Sequence, residues 1–106
     1  MGFFQFLKQP DINQAVARFR EMPHGILLDV RTPQEYRQGH IPDSINLPLQ
    51  GLDNIDEIVD NVSDPIYVYC HSGARSRQAA AVLRSMGYEN VKNIGGIAAY
   101  SGKVEY

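Results

Sequence analysis

Ile66-Tyr67-Val68-Tyr69-Cys70-His71-Ser72-Gly73-Ala74-Arg75-Ser76 is the stretch on which the reading of this chain turns. Its first four residues are β-branched or aromatic and follow Asp64-Pro65, so they predict a strand. Beyond the stretch, Ala79, Val82, Leu83 and Met86 fall on one helical face and Gly87 offers a stop, which predicts a helix from about Arg75 to Met86. Cys70 to Ser76 form the passage from strand to helix. In open α/β sheets, ligand sites form beyond the carboxyl ends of strands. A tight turn into a helix also aims several backbone N–H groups at one point, where they can cradle an anion. Gly73 permits the backbone angles that close such a ring, and small Ser72 and Ala74 leave its mouth open. A thiol at the floor of the ring is pushed toward thiolate by the N–H groups, the helix N-terminus and Arg75. Thiolate is the attacking form, so Cys70 is a candidate nucleophile. The competing reading is an inert buried cysteine ending a strand, common for free cysteines in general. The polar, glycine-containing, arginine-terminated turn directly after Cys70 speaks against it.

Outward from this stretch, helical and strand signals alternate, which argues for an α/β layer architecture. Asp11 can cap a helix whose apolar residues Ile12, Ala15, Val16 and Phe19 recur at helical spacing and which stops before Pro23. Ile26-Leu27-Leu28-Asp29-Val30 reads as a buried strand. Thr32, Pro33 and Glu35 occupy the N-cap, N1 and reciprocal capping-box positions of a short helix ending near Gly39. Ser44-Ile45-Asn46-Leu47 is expected as a second, short strand. Leu52, Ile55, Ile58, Val59 and Val62 have helical spacing and predict a helix over about 52–62. Val91-Lys92-Asn93-Ile94 is read as the last strand, Gly95-Gly96 as a turn, and Ile97 to Ser101 as a short final helix.

Size and composition bound the function. The 106 residues fit one domain, and no long linker, repeat or low-complexity segment divides them, so residues 1–106 are read as a single domain. Apolar residues at 43% and charged residues at 21% are ordinary for a soluble globular chain. No apolar run approaches the roughly 20 residues of a membrane span. The start, Met1 to Lys8, is apolar but short and lacks the basic opening of a secretory signal, so a cytoplasmic location with no membrane partner is expected. Five acids and no bases lie between Asp53 and Asp64, whereas Arg75, Arg77 and Arg84 are the only charged side chains between Pro65 and Tyr88. This is either surface balancing or local positive potential around an anion site. It is not the broad basic stripe that nucleic-acid binding requires. One cysteine forms no internal disulfide and no multi-cysteine metal site, and the three histidines lack ligand spacing, so no metal and no cofactor are expected. If Cys70 reacts, its product must be discharged onto another molecule.

Cys70-His71-Ser72-Gly73-Ala74-Arg75-Ser76 resembles the active-site loop of rhodanese-like sulfurtransferases. Two other stretches agree. Leu28 to Tyr36, followed by Gly39-His40-Ile41-Pro42-Asp43-Ser44-Ile45-Asn46-Leu47-Pro48, resembles the family's amino-terminal signature, and Met86-Gly87-Tyr88, Val91 and Gly95-Gly96-Ile97 resemble its carboxyl-terminal one. The resemblance spans roughly residues 10–102. It implies an α/β fold with a small parallel sheet of about five strands and helices on both faces. It also implies ping-pong transfer. Cys70 would take sulfur as a persulfide from a small anionic donor such as thiosulfate, and cyanide, a thiol or a protein cysteine would accept it. The N–H groups of residues 71–76 would stabilise the outer sulfur, with His71, Ser72, Gly73, Ala74, Arg75 and Ser76 forming the substrate-binding loop. Asp29 and Arg31, at the end of a strand, are expected to support the site, chiefly through structural hydrogen bonds. His40 is read as a brace for the turns around it, and Tyr100 stands where many relatives carry tryptophan. Arg75 has two open readings: charge near the donor, or a partner for a carboxylate that braces the loop. His71 is either an anion or proton-transfer group or a plain exposed loop residue.

The rivals are separable. Related dual-specificity phosphatases use Cys-x5-Arg, whereas Cys70 and Arg75 give Cys-x4-Arg, a ring better suited to one sulfur than to a tetrahedral oxyanion. Arsenate reduction is disfavoured by the missing second cysteine. A non-enzymatic interaction module remains the stronger alternative, although such domains usually replace the cysteine.

Overall fold

The computed structural model describes residues 10–106. The apolar start Met1 to Lys8 lies outside the described residues, and the location read from it is not addressed by the structure. No helix among the described residues is long and apolar enough to cross a membrane.

In chain order the elements are helix α1 (Ile12–Phe19), strand β1 (Ile26–Asp29), helix α2 (Pro33–Arg37), strand β2 (Ile45–Asn46), a 3-10 segment (Leu49–Glu57), strand β3 (Ile66–Cys70), helix α3 (Ala74–Ser85), strand β4 (Val91–Gly96) and a last 3-10 turn (Ile97–Ala99). Among the described residues, four strands form one sheet in the order β2-β1-β3-β4, all parallel, beside an expected count of about five. The carboxyl ends of all four therefore face the same edge, which is where the loop after β3 emerges.

Alternation along β1 and β3 divides the core. Leu28, Ile66, Val68 and Cys70 face one side, with Leu52, Ile55, Val59, Ala79, Ala80 and Leu83 from the long 3-10 segment, the turn after it and α3. Leu27, Tyr67 and Tyr69 face the other, with Ile12 and Val16 of α1 and Ile94. Helical elements thus cover both faces, as expected. Both early caps form as read: the Asp11 carboxylate accepts from Asn13 and Gln14 N–H groups, and Thr32 and Glu35 make the reciprocal capping box.

Three expectations are corrected. The helix read over 52–62 is the 3-10 segment Leu49–Glu57, interrupted by non-helical Gly51; Val59 is buried after its end, and Val62 is exposed. The burial of Leu52 and Ile55 three residues apart is satisfied by a 3-10 turn as well as by an α-helix, so spacing alone could not separate them. The buried stripe of α3 is Ser76, Ala79, Ala80 and Leu83, whereas Val82 and Met86 face outward. The stripe is rotated because it begins at a hydroxyl that must reach the site. Finally, Gly95 and Gly96 are strand rather than turn, pairing with Tyr69 and Cys70 past a register shift at Val68/Tyr69. Gly95 takes φ of +104° there, a conformation suited to glycine at a bulge.

Candidate active site

Cys70 is the last residue of β3 and is 1% exposed. The chain then turns through His71, Ser72 and Gly73, and α3 begins at Ala74. Gly73 has φ of +106°, the left-handed region, and this inversion folds the loop back over the sulfur. The Gly73 N–H donates to Cys70 Sγ at 3.0 Å and the Ser76 N–H at 3.4 Å, while Ser76 Oγ lies 3.4 Å from the same sulfur. Burial pushes the Cys70 thiol up, but the Ser76 hydroxyl and the N–H groups of Ser76, Gly73 and Ser72 outweigh it, leaving the thiol below its ordinary value. The sulfur therefore sits where backbone donors converge, at the start of a helix, and is disposed to be a thiolate.

The strand beside the loop shapes it. A side chain at Gly96, the partner of Cys70, would collide with the His71 carbonyl, so this position admits only glycine for the backbones to pass. The His71 carbonyl accepts from Ala98 N–H at 3.1 Å, tying the loop to the last 3-10 turn. The His71 side chain is exposed, as are Ser72 and Ala74. Asn93 on β4 was not singled out by sequence. Its Oδ1 accepts from Ser76 Oγ at 2.7 Å and from Gly95 N–H at 3.0 Å, and its Nδ2 donates to the Gly73 carbonyl at 3.3 Å. The available signal was an asparagine inside a strand, where that residue is depleted.

Arg75 resolves toward pairing. Its guanidinium makes two hydrogen bonds to the Glu35 carboxylate, at 2.7 and 3.0 Å. Arg75, foremost, together with Thr32, pulls the Glu35 carboxyl down to about 2. The capping-box residue of α2 is thus also the anchor of the Cys70–Ser76 loop, a second role that the local pattern at Thr32-Pro33-Gln34-Glu35 gave no means of seeing. Arg75 still borders an open cleft shared with His71, Arg31, Glu35, Gln38 and Ile97.

Asp29 and Arg31 meet each other rather than the sulfur. Arg31 donates to Asp29 through Nε at 3.1 Å and through its terminal nitrogen at 2.7 Å, and to the Gly39 carbonyl at 2.8 Å. Asp29 is 0% and Arg31 5% exposed. Burial alone would lower the Arg31 guanidinium, but Asp29 holds it above its ordinary value. The Arg31 guanidinium also lies 5.8 Å from the Tyr69 ring centre, and the Tyr69 hydroxyl donates to Ser44 Oγ and accepts from Ile41 N–H. His40 stacks on Tyr36 at 3.7 Å and pairs its backbone with Glu105, at the same end of the fold.

Among the described residues, no cluster of side chains has the makings of a metal site. A parallel sheet with a cysteine-floored N–H ring at its carboxyl edge defines a class, and the sequence model of the rhodanese-like domain matches residues 12–103: the chain belongs to that family. It is 41% identical over 71 residues to thiosulfate sulfurtransferase PspE of Escherichia coli, a match covering 66% of this chain and 68% of that one. It is 43% identical over 77 residues to a sulfurtransferase of Allochromatium vinosum, covering 72% and 71%. The solved structure of a rhodanese with anions from E. coli superposes with a TM-score of 0.72 at 35% identity, covering 76% of this chain and 96% of that one. Sulfur transfer is the chemistry that these relatives support for the chain.

Proposed function

We propose that the protein is a thiosulfate sulfurtransferase acting through a Cys70 persulfide. Cys70 thiolate attacks the outer sulfur of thiosulfate; the sulfur–sulfur bond of the donor breaks and its electron pair leaves with sulfite. The new outer sulfur carries the negative charge into the ring of N–H groups of residues 71–76. A nucleophilic acceptor (cyanide, a thiol or a protein cysteine) then bonds to that sulfur and Cys70 departs as thiolate, ready for another cycle. The observation that carries this reading is the convergence of the Gly73 and Ser76 N–H groups on Cys70 Sγ. Donors fixed before charge arrives stabilise it without reorganisation. Arg75, braced by Glu35, lends partial positive potential at the mouth, and the Asp29–Arg31 pair supports the scaffold from β1. A lone thiol and thiol acceptors suit a reducing compartment, and we place the activity in the cytoplasm.

A second source of sulfur is favoured by the pairing of Arg75 with Glu35, which leaves less charge for a small anion: a persulfide borne on another protein's cysteine. Intact-mass spectrometry tests both. The wild-type protein should gain one sulfur on incubation with thiosulfate, and Cys70→Ser should gain none while keeping its fold by circular dichroism. A gain only with a thiol-borne persulfide selects the second donor. No gain with either removes the sulfurtransferase reading.

A further inference from the structure

The Ser76 hydroxyl is completely buried and has one hydrogen, yet four acceptors surround it: Asn93 Oδ1 at 2.7 Å, the Gly73 carbonyl at 3.1 Å, the Gly95 carbonyl at 3.3 Å and Cys70 Sγ at 3.4 Å. Asn93 cannot flip to withdraw its oxygen. The Gly95 N–H requires an acceptor and the Gly73 carbonyl a donor, so Oδ1 faces Ser76 and Nδ2 faces Gly73. The Gly73 carbonyl already accepts from Arg77 N–H and from Asn93. With a neutral thiol, the hydroxyl hydrogen therefore belongs to Asn93, and Oγ offers the sulfur a lone pair instead. That arrangement suits S–H and opposes S⁻.

We propose that Asn93 is a positioning residue for Cys70, acting through Ser76: it holds the hydroxyl hydrogen away from the sulfur until the thiol proton has left to solvent. The hydroxyl then turns from Asn93 to the thiolate, a charged and therefore stronger acceptor. When charge moves to the outer sulfur of a persulfide, the hydroxyl returns to Asn93, which lowers the demand of the inner sulfur for donors. This last step rests on the persulfide reading; the first two do not. Asn93 thus sets the ionisation of Cys70 at a level the backbone N–H groups alone do not determine. Of the charged groups around the loop, Arg75 on α3 pairs with Glu35 on α2 and Arg31 pairs with Asp29 of β1. Arg77 on α3 is exposed in the cleft beside Ser72, Gly73 and Asn93, and its charge is present with or without the Ser76 hydroxyl. Of the neighbouring titratable residues in β3 and its loop, Tyr69 packs on the opposite face and the His71 side chain is exposed.

Thiolate ultraviolet absorbance against pH reads the effect directly. Cys70 is the sole cysteine, and Cys70→Ser supplies the tyrosine baseline. Asn93→Ala should lower the Cys70 midpoint by about one pH unit by freeing the hydroxyl for the sulfur. In a Ser76→Ala background the same substitution should produce no such downward shift. Asn93→Asp, which holds the hydroxyl more strongly, should raise the midpoint, and more so with Ser76 present than without it. It also serves if Asn93→Ala does not fold. Equal shifts with and without the Ser76 hydroxyl, no shift, or an upward shift for Asn93→Ala would overturn the proposal. The titration uses no sulfur donor, so its outcome is separate from that of the mass experiment on sulfur loading.

Discussion

Two strand ends lie side by side at the carboxyl edge of the sheet, and they treat charge in opposite ways. At the end of β1, Asp29 and Arg31 are buried together and each finds its partners within the protein. At the end of β3, the Gly73 and Ser76 N–H groups converge on a single buried sulfur, beneath a loop whose His71, Ser72 and Ala74 are exposed. The first arrangement is closed: its donors are consumed by a carboxylate and a carbonyl. The second has capacity to spare, because its donors face an atom whose charge can rise. A satisfied pair holds a turn in place, and a partly satisfied ring can answer a change of charge. The difference lies in how donors and acceptors are matched, since Asp29, Arg31 and Cys70 are all buried.

The comparison breaks most severely at Arg31. Arg31→Ala leaves the Asp29 carboxylate buried without its counter-ion and should cost about 3–5 kcal/mol, read as a lower denaturant midpoint. Arg75→Ala should act the other way round. Its pair with Glu35 is a third exposed, so stability should change by no more than about 1 kcal/mol, while sulfur transfer falls about tenfold as the loop loses its anchor. A kcat/KM measurement beside a denaturation curve separates the two cases. The smallest effect is expected in acid. Glu35 titrates at about 2 in the fold against an ordinary value of 4.5. Its contribution is therefore complete above pH 4.5 and is lost as pH falls toward 2. Glu35→Gln should flatten that part of the acid-unfolding curve; an unchanged curve would mean that the pair contributes nothing to the folded state.

Sequence revealed the site better than its supports. Cys70, Gly73 and Ser76 were legible because strand, turn and helix are contiguous there, and a local pattern is enough to place a ring of N–H groups over a sulfur. Glu35 was legible only as a cap. Its bond to Arg75 joins residues forty positions apart, and no local periodicity carries that information. Asn93 reaches the site from a neighbouring strand and was hidden for the same reason. The sheet was readable in kind and strand by strand: each of its four described strands, even β2 with only two residues, lies within or across a stretch read as a strand. The misread 52–62 segment shows the limit of periodicity. An apolar residue every third position satisfies two kinds of helix, and the segment that forms is the 3-10 run Leu49–Glu57, broken at Gly51.

The contact between Gly96 and the His71 carbonyl also acts as a gauge. Strand β4 closes the inward path of the loop, so its span from Cys70 to Arg75 is fixed on one side by a neighbouring backbone. An inserted residue would have to bow the loop outward and lift its N–H groups off the sulfur. Retrofitting this domain for a wider cargo would therefore require reshaping β4 together with the loop. The width of the ring is thus set by a neighbouring strand as well as by the loop's own residues.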